Sequence, residues 1–387
     1  MNPTPKPEYI FVIENKIGGV AYLNKNIVNN TTLRENVIVK VILVDQTDSN
    51  HPRFPDKIDA DEIIDFPYST KENKYAVLQR FHALLGNTPG AVICNDGLEM
   101  EALYLLGTAK TVYQIVHDYY NITLAFKFGA ITDVFVTHTS LFRDVLLSAD
   151  PVSVKSFWLH HGVPIPDLKP AGKSPGQKLK AIFVGRLVEA KGVQKLFVID
   201  SKLRSMGIDV EWTIIGRGPL KDALIDQWKD RQNITFSSPD TNQQVMEIMT
   251  HNDLFILPTH FEGSPVTVLE ALSCGLVPVV SDLPGGINEI VTNDIGRKIP
   301  IDDTTAFADA IAFFNGNRTA LAEMSANGRK LAEEKFDILQ TSNNYFALFG
   351  RFASLKKETT ARPPIKIGFR LDQKWLPNTI VRFLRRG

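Results

Sequence analysis

Short β-branched apolar runs alternate with amphipathic stretches along almost the whole chain, and few folds accept that pattern. The early runs are "EYIFVIE", "NVIVKVILVD", "AVICND", "TVYQIVHD" and "DVFVTHTS"; the later ones are "LKAIFVGR", "VEWTIIGR", "NITFSS", "DLFILPT" and "VPVVSD". Between them lie segments of helical periodicity such as "KENKYAVLQRFHALLG" and "TTAFADAIAFFNG". Near-continuous apolar strands separated by helices imply parallel sheets covered on both faces. A polar stretch at residues 163–178, "VPIPDLKPAGKSPGQK", holds four prolines and two glycines and reads as a linker. The pattern predicts two doubly wound α/β domains, at 1–165 and 179–350, joined by a linker at 166–178 and followed by a basic segment at 351–387.

Charge and cysteine usage narrow the classes of function. The chain has 43 Lys+Arg and 43 Asp+Glu in 387 residues, a balance that opposes wholesale nucleic-acid binding. The balance is uneven, because residues 351–387 hold ten Lys/Arg and two Asp/Glu. Cys94 and Cys274 give neither a disulfide framework nor metal-ligand spacing. The start, "MNPTPKPEYIFVIENK", lacks a basic region followed by an apolar one, and no apolar run approaches the roughly 18 residues of a membrane span. The expected location is cytoplasmic, with peripheral membrane contact through the basic end.

The chemistry concentrates in the second half. In "HFEGSPVTVLEALSCG", Ser264 reads as a helix N-cap and Pro265 as the first helical residue, so Glu262 falls in the preceding loop and Glu270 inside an apolar helix. A carboxylate among Val268, Leu269, Ala271 and Leu272 needs a hydrogen-bonding partner if it is buried. It suits a ribose diol, which offers two donors; an exposed glutamate favoured by the helix dipole is the other reading. "AIFVGRLVEAKGVQKL" places Gly185 and Arg186 in a turn after a strand, with Lys191 opening a helix, an electropositive setting for phosphate. "TIIGRGPLKDAL" adds a second strand–turn–helix at Gly216 and Gly218, with Lys221 where a dinucleotide fingerprint has its third glycine.

"FVGRLVEAKG", "IIGRGPLKDAL" and "EGSPVTVLEALSCGLVPVVSD", in this order and spacing, resemble the retaining nucleotide-sugar glycosyltransferases of the GT-B fold, family four. Glu262 and Glu270, with seven residues between, resemble that family's Glu-x7-Glu motif. The resemblance spans residues 180–300 closely and the first half only loosely. It implies two Rossmann-like domains facing a central cleft, the second binding a nucleotide sugar and the first an acceptor. By position, Arg186 and Lys191 would bind the donor diphosphate and Glu270 the ribose hydroxyls. Glu262 would touch the donor sugar, and the backbone from Gly263 through Ser264 and Pro265 to Val266 would contact sugar and phosphate. Gly185 and Gly216 belong to the donor-binding turns. In the first half, "IGGVA" resembles the family's glycine-rich loop, so Gly18 and Gly19 would let backbone approach donor phosphate or acceptor, and His117 in "YQIVHDYY" resembles a donor-facing histidine. Glu262, His117, Arg186 and Lys191 are the expected catalytic set.

The resemblance further implies transfer of a hexose-type sugar to a glycan or lipid-linked acceptor, as in bacterial surface polysaccharide synthesis. It implies no cofactor beyond the donor substrate and no metal. A GT-B epimerase and a non-catalytic nucleotide-sugar-binding protein are the alternatives. This chain departs from the family's common pattern in "FEGSP", where a glycine-rich stretch is more usual, and in "ITFSS", where a glycine often lies beside the nucleobase. Asp59-Ala60-Asp61 imitates a metal-binding Asp-x-Asp inside a polar run, and His160-His161 reads as a turn at a domain end rather than a metal site. In the tail, Pro377 can start a helix with Leu376, Ile380, Phe383 and Leu384 on one face and Arg382, Arg385 and Arg386 elsewhere, with Lys374 just before. Such a helix suits either an anionic membrane surface or a brace back onto the first domain.

Overall fold

The computed structural model describes residues 5–149, 155–167, 177–358 and 362–385, so most of the expected linker and Arg386 lie outside the described residues. The chain divides into two compact units, one formed by Met1–Gly162 with Leu339–Gly387, the other by Val163–Ile338.

The first unit is built on seven parallel strands: β1 (Glu8–Glu14), β2 (Ile38–Gln46), β3 (Glu62–Tyr68), β4 (Gly90–Cys94), β5 (Thr111–Val116), β6 (Val134–Thr137) and β7 (Lys155–Trp158). Their order is β3-β2-β1-β4-β5-β6-β7. The second unit repeats the plan with β8 (Leu179–Val184), β9 (Val210–Ile215), β10 (Ile234–Ser237), β11 (Leu254–Leu257), β12 (Val277–Ser281) and β13 (Arg297–Ile299), ordered β10-β9-β8-β11-β12-β13. Each is a Rossmann-like sheet whose strand order reverses between its first and fourth strands, where a crevice opens at the strands' carboxyl ends. Helices cover both faces, and β4, β5, β6, β11 and β12 are buried along their whole length. β3, β7 and β13 lack the long apolar run because they are sheet edges, where one neighbour is missing and polar residues are tolerated.

The domain boundary expected at residue 350 shifts. The helix Ile338–Phe349 carries the chain back to the first unit, where Phe346 and Phe349 pack on Tyr9 and Phe11 of β1 and the Tyr113 hydroxyl donates to Leu348 O at 3.1 Å. The aromatic face of this helix matches the apolar face of the first sheet, so packing decides its unit and chain order does not.

The tail continues on the first unit. Asn378 caps onto Asn73 N (2.7 Å) and Glu72 Oε2 (3.0 Å), Asp372 accepts from Lys74 N at 2.7 Å, and Arg385 reaches Asp372 Oδ2 at 3.0 Å and Glu72 O at 2.6 Å. The expected helix forms at Asn378–Leu384, with Val381 turned inward rather than Ile380 and Phe383. Phe369 (81%), Trp375 (77%) and Phe383 (71%) stay exposed. Among the described residues no helix is long and apolar enough to cross a membrane.

Candidate functional site

In the second unit the chain folds its charged residues onto the crevice between β8 and β11. The turn after β8 is clamped from two sides. Gly185 N donates to Ile215 O at 3.0 Å and Leu187 N to Arg217 O at 2.9 Å, which ties it to the turn after β9. A Cβ on Gly216 would lie 1.9 Å from Gly185 O, and φ there is 157°, so only glycine lets the two turns meet so closely. Arg186 projects from the clamped turn into solvent and has no side-chain partner among the described residues.

Lys191 ends a short 3-10 turn (Glu189–Lys191), followed by Gly192 at φ 69°, where a Cβ would collide with Pro258 O. That close approach lets His260 N (2.9 Å) and Thr259 Oγ1 (3.0 Å) bond Ala190 O, joining the loop after β8 to the loop after β11. Lys191 Nζ consequently meets Glu262 Oε1 at 2.6 Å, with both side chains largely covered. An ammonium has three protons, so two remain for phosphate oxygens.

Glu270 sits within the helix Val266–Ser273 and is 6% exposed. Burial pushes its carboxyl up to about 7. The Asn242 side chain donates to Glu270 Oε1 at 2.5 Å, while Asn242 Oδ1 is buried with no partner among the described residues. Sequence reading passed over Asn242. The signal for it is the capping box of Thr241 and Gln244, which fixes Asn242 as the first residue of a helix packed beside Glu270.

The expected start of this helix is corrected. Its N-cap is Pro265, with no side-chain cap, so Ser264 does not serve as a capping hydroxyl. The Val266 amide, expected to contact sugar or phosphate, already donates to Ser264 O at 2.9 Å. The proline's ψ of 71° turns Ser264 back over the first turn, and of the first amides only Thr267 N lacks a backbone partner among the described residues. Gly263 O and Pro265 pack against Gly286, where a Cβ would lie 2.5 Å from Pro265 Cδ.

In the first unit, Gly18 and Gly19 open the helix Gly19–Asn30 after β1, and a Cβ at either would meet nothing within 4 Å. Gly18 has φ 175°, an extended conformation open to any residue, so free space above the backbone is what these glycines offer. His117 follows β5 and its Nε2 lies 2.9 Å from Asn95 Oδ1. Burial, then His138, pushes its imidazole well below the usual histidine range.

The remaining sequence features resolve structurally. Asp59 and Asp61 pair with Arg34, and Asp61 also accepts from Val39 N at 2.7 Å. His161 does lie at the end of the first segment of its unit, but it is buried there: it is 5% exposed and lies against His138, with ring centroids 3.8 Å apart. A cavity of about 460 Å³ in the first unit is lined by Glu14, Gln46, Tyr68, Lys74, Asp96 and Tyr120, at the carboxyl ends of β1 to β4.

Residues 164–331 match the family described as glycosyl transferases group 1. The lipopolysaccharide core biosynthesis mannosyltransferase LpsB of Rhizobium meliloti is 32% identical over 194 residues, 47% of this chain and 54% of LpsB. The amylovoran biosynthesis glycosyltransferase AmsK of Erwinia amylovora is 28% identical over 173 residues, 42% of each chain. The chain thus spans about half the length of the curated relatives it matches. Among solved structures, sucrose-phosphate synthase from Thermosynechococcus elongatus superposes with a TM-score of 0.72 at 14% identity, covering 90% of this chain and all of that one. Anabaena Alr3699/HepE in complex with UDP and glucose gives a TM-score of 0.71 at 14% identity over 89% of this chain and all of that one. Both likenesses show the GT-B fold of paired Rossmann-like units. Residues 164–331, nearly all of the second unit, thus resemble the glycosyl transferases group 1 family.

Proposed function

We propose that this protein is a retaining glycosyltransferase that moves a hexose-type sugar from a nucleoside-diphosphate donor to a glycan or lipid-linked acceptor in bacterial surface polysaccharide synthesis. The observation that carries the reading is the Lys191–Glu262 contact of 2.6 Å in the β8/β11 crevice of the unit that matches the family. An ammonium beside a carboxylate in that crevice supports a site for the diphosphate and the transferred sugar of a donor.

In this reading Arg186 and Lys191 stabilise negative charge as the diphosphate departs, the role a divalent ion plays in other transferases. Glu262 holds Lys191 in place and faces the donor sugar. Glu270, oriented by Asn242, accepts the ribose hydroxyls, and the Gly216 turn lets backbone lie close to the nucleotide. The family's usual course is front-face attack, with the departing phosphate taking the acceptor proton and the sugar keeping its anomeric configuration. Within the first unit, the polar 460 Å³ cavity suits part of the acceptor. Contact with a membrane surface through the exposed aromatics of the basic tail fits a lipid-linked acceptor.

The test is a thermal-shift panel of nucleotide sugars, since a donor at a hundred times its Kd stabilises the fold by about 2.7 kcal/mol. The stabilising donor is then assayed with glycan acceptors in chelator, and the product's anomeric centre is read by NMR. Transfer with retained configuration supports the reading; inversion, or no nucleoside diphosphate released with any acceptor, overturns it.

A further inference from the structure

Three histidines converge in the first unit without any of them being close in sequence. His117, His138 and His161 follow β5, β6 and β7, three adjacent parallel strands, so the three emerge side by side past the carboxyl ends of their own strands. Strands in a sheet lie about 4.8 Å apart, which sets the spacing of side chains leaving equivalent ends. One ring nitrogen from each histidine lies within 4.8 Å of one from each of the others, and all three rings are buried.

The hydrogen bonds fix which nitrogens are available. His138 Nδ1 lies 3.0 Å from Leu159 O, and a carbonyl can only accept, so Nδ1 carries the proton. Its Nε2 is then an unprotonated nitrogen, buried and with no partner among the described residues. The Tyr345 hydroxyl, 3.1 Å from His138 Nδ1, seats the same ring edge. Asn95 Nδ2 donates to Val12 O at 2.8 Å, which leaves Asn95 Oδ1 to accept from His117 Nε2 and leaves His117 Nδ1 unprotonated. His161 Nε2 is likewise buried and unpartnered, and His138 and His161 are each 5% exposed. Two buried orphan nitrogens on neighbouring rings are costly unless a water or an ion satisfies them.

We infer that His117, His138 and His161 form a binding site for a divalent transition-metal ion of the zinc class. Imidazole suits zinc, copper, iron and nickel, whereas magnesium and calcium prefer oxygen ligands. Three protein nitrogens with an open fourth position is the arrangement of exchangeable zinc sites, with zinc–nitrogen distances of about 2.0–2.1 Å. Rotation of the three rings about their side-chain torsions draws the nitrogens together around the ion. Leu159 O and Asn95 Oδ1 act as the outer partners that fix tautomer and ring orientation. Burial already holds the rings neutral, with His138 pushed down to about 4 and His161 well below its ordinary range. The site rests on the first unit alone and holds whether or not the chain transfers sugar.

The experiment uses the full-length protein, stripped with a chelator and returned to chelator-free buffer. It is titrated with Co2+, followed by visible ligand-field absorption, and then with Zn2+ and Mg2+ in competition. One Co2+ per chain in a tetrahedral or five-coordinate spectrum, displaced by Zn2+ and not by Mg2+, is expected. His138→Ala and His161→Ala should each weaken binding at least tenfold, with His160→Ala as the unaffected neighbour. X-ray absorption on the zinc-loaded wild type counts imidazole ligands directly, so the result does not depend on how well the variants fold. Three imidazoles support the site. Fewer than three, binding below one ion per chain, or equal affinity in folded His138→Ala and His161→Ala proteins overturns it.

Discussion

Lys191 Nζ lies 2.6 Å from Glu262 Oε1, an ion pair added to the two bonds on Ala190 O that join the loop after β8 to the loop after β11. The pairing has a cost for phosphate binding, because Glu262 occupies one of the three ammonium protons and its charge opposes an incoming anion. Glu262→Gln is therefore expected to leave affinity for a sugar-free nucleoside diphosphate unchanged or a few-fold tighter. Turnover with a full donor should fall by about 2–4 kcal/mol of transition-state stabilisation, roughly 30- to 1,000-fold. Calorimetry and initial rates check the two halves separately; a nucleotide affinity that falls in step with turnover would show Glu262 to be a binding scaffold only.

Glu270 should show itself in the pH dependence of stability. Its folded value of about 7 lies above the ordinary carboxylate range, so the protonated acid favours the folded state. Its stabilising contribution is full below pH ~4.5 and is lost as pH rises through about 7, a change on the order of 3 kcal/mol. Glu270→Gln should thus unfold at a higher temperature than wild type at pH 8 and at nearly the same temperature at pH 5. The same substitution should weaken nucleotide binding by about 1.5–3 kcal/mol, because a carboxylate accepts the ribose donors more strongly than an amide. Thermal unfolding across pH reads the first effect and calorimetry the second.

The Gly216 turn offers a backbone test. With φ at 157° and Gly185 O 1.9 Å from a Cβ, Gly216→Ala must push the Arg186 turn away. Strain of about 1–3 kcal/mol is expected, read as a lower urea midpoint, together with weaker nucleotide binding. Unchanged nucleotide affinity in the folded variant would separate this turn from the donor site.

In the tail, bracing and surface contact are carried by different residues. Asp372 is held below the usual carboxylate range: burial opposes this, but the Lys74 and Phe369 amides and Arg385 outweigh it. Arg385→Ala should cost about 1–3 kcal/mol of stability by removing hydrogen bonds to Asp372 and to backbone carbonyls. The double substitution Trp375→Ser and Phe383→Ser touches exposed rings and should leave stability unchanged while reducing sedimentation with anionic vesicles. Equal pelleting of wild type and double variant at low salt would limit the tail to its bracing role.

Much of this structure is legible in the sequence, and the rest is hidden for identifiable reasons. Buried parallel strands such as β4, β5 and β11 advertise themselves as apolar runs, whereas the edge strands β3 and β7 do not. The Lys191–Glu262 contact and the buried Glu270 involve residues legible in the sequence because they lie in short motifs at fixed spacing. Asn242 was missed because its relation to Glu270 exists only once two helices pack. The histidine trio was missed for the same reason: His117, His138 and His161 are brought together by strand order, and no local spacing encodes that. The capping role expected of Ser264 is not legible, because Pro265, with ψ 71°, takes the N-cap place itself.

In the proposed reaction Arg186 and Lys191 stabilise the departing diphosphate. Single-turnover release of nucleoside diphosphate, measured in chelator with the matched donor and acceptor, tests it most directly. Wild type should turn over fully in chelator. Arg186→Ala and Lys191→Ala should each lose about 2–4 kcal/mol of transition-state stabilisation while binding the sugar-free nucleoside within a few-fold of wild type. Turnover that depends absolutely on an added divalent ion, or that survives the loss of either cation, would contradict the account.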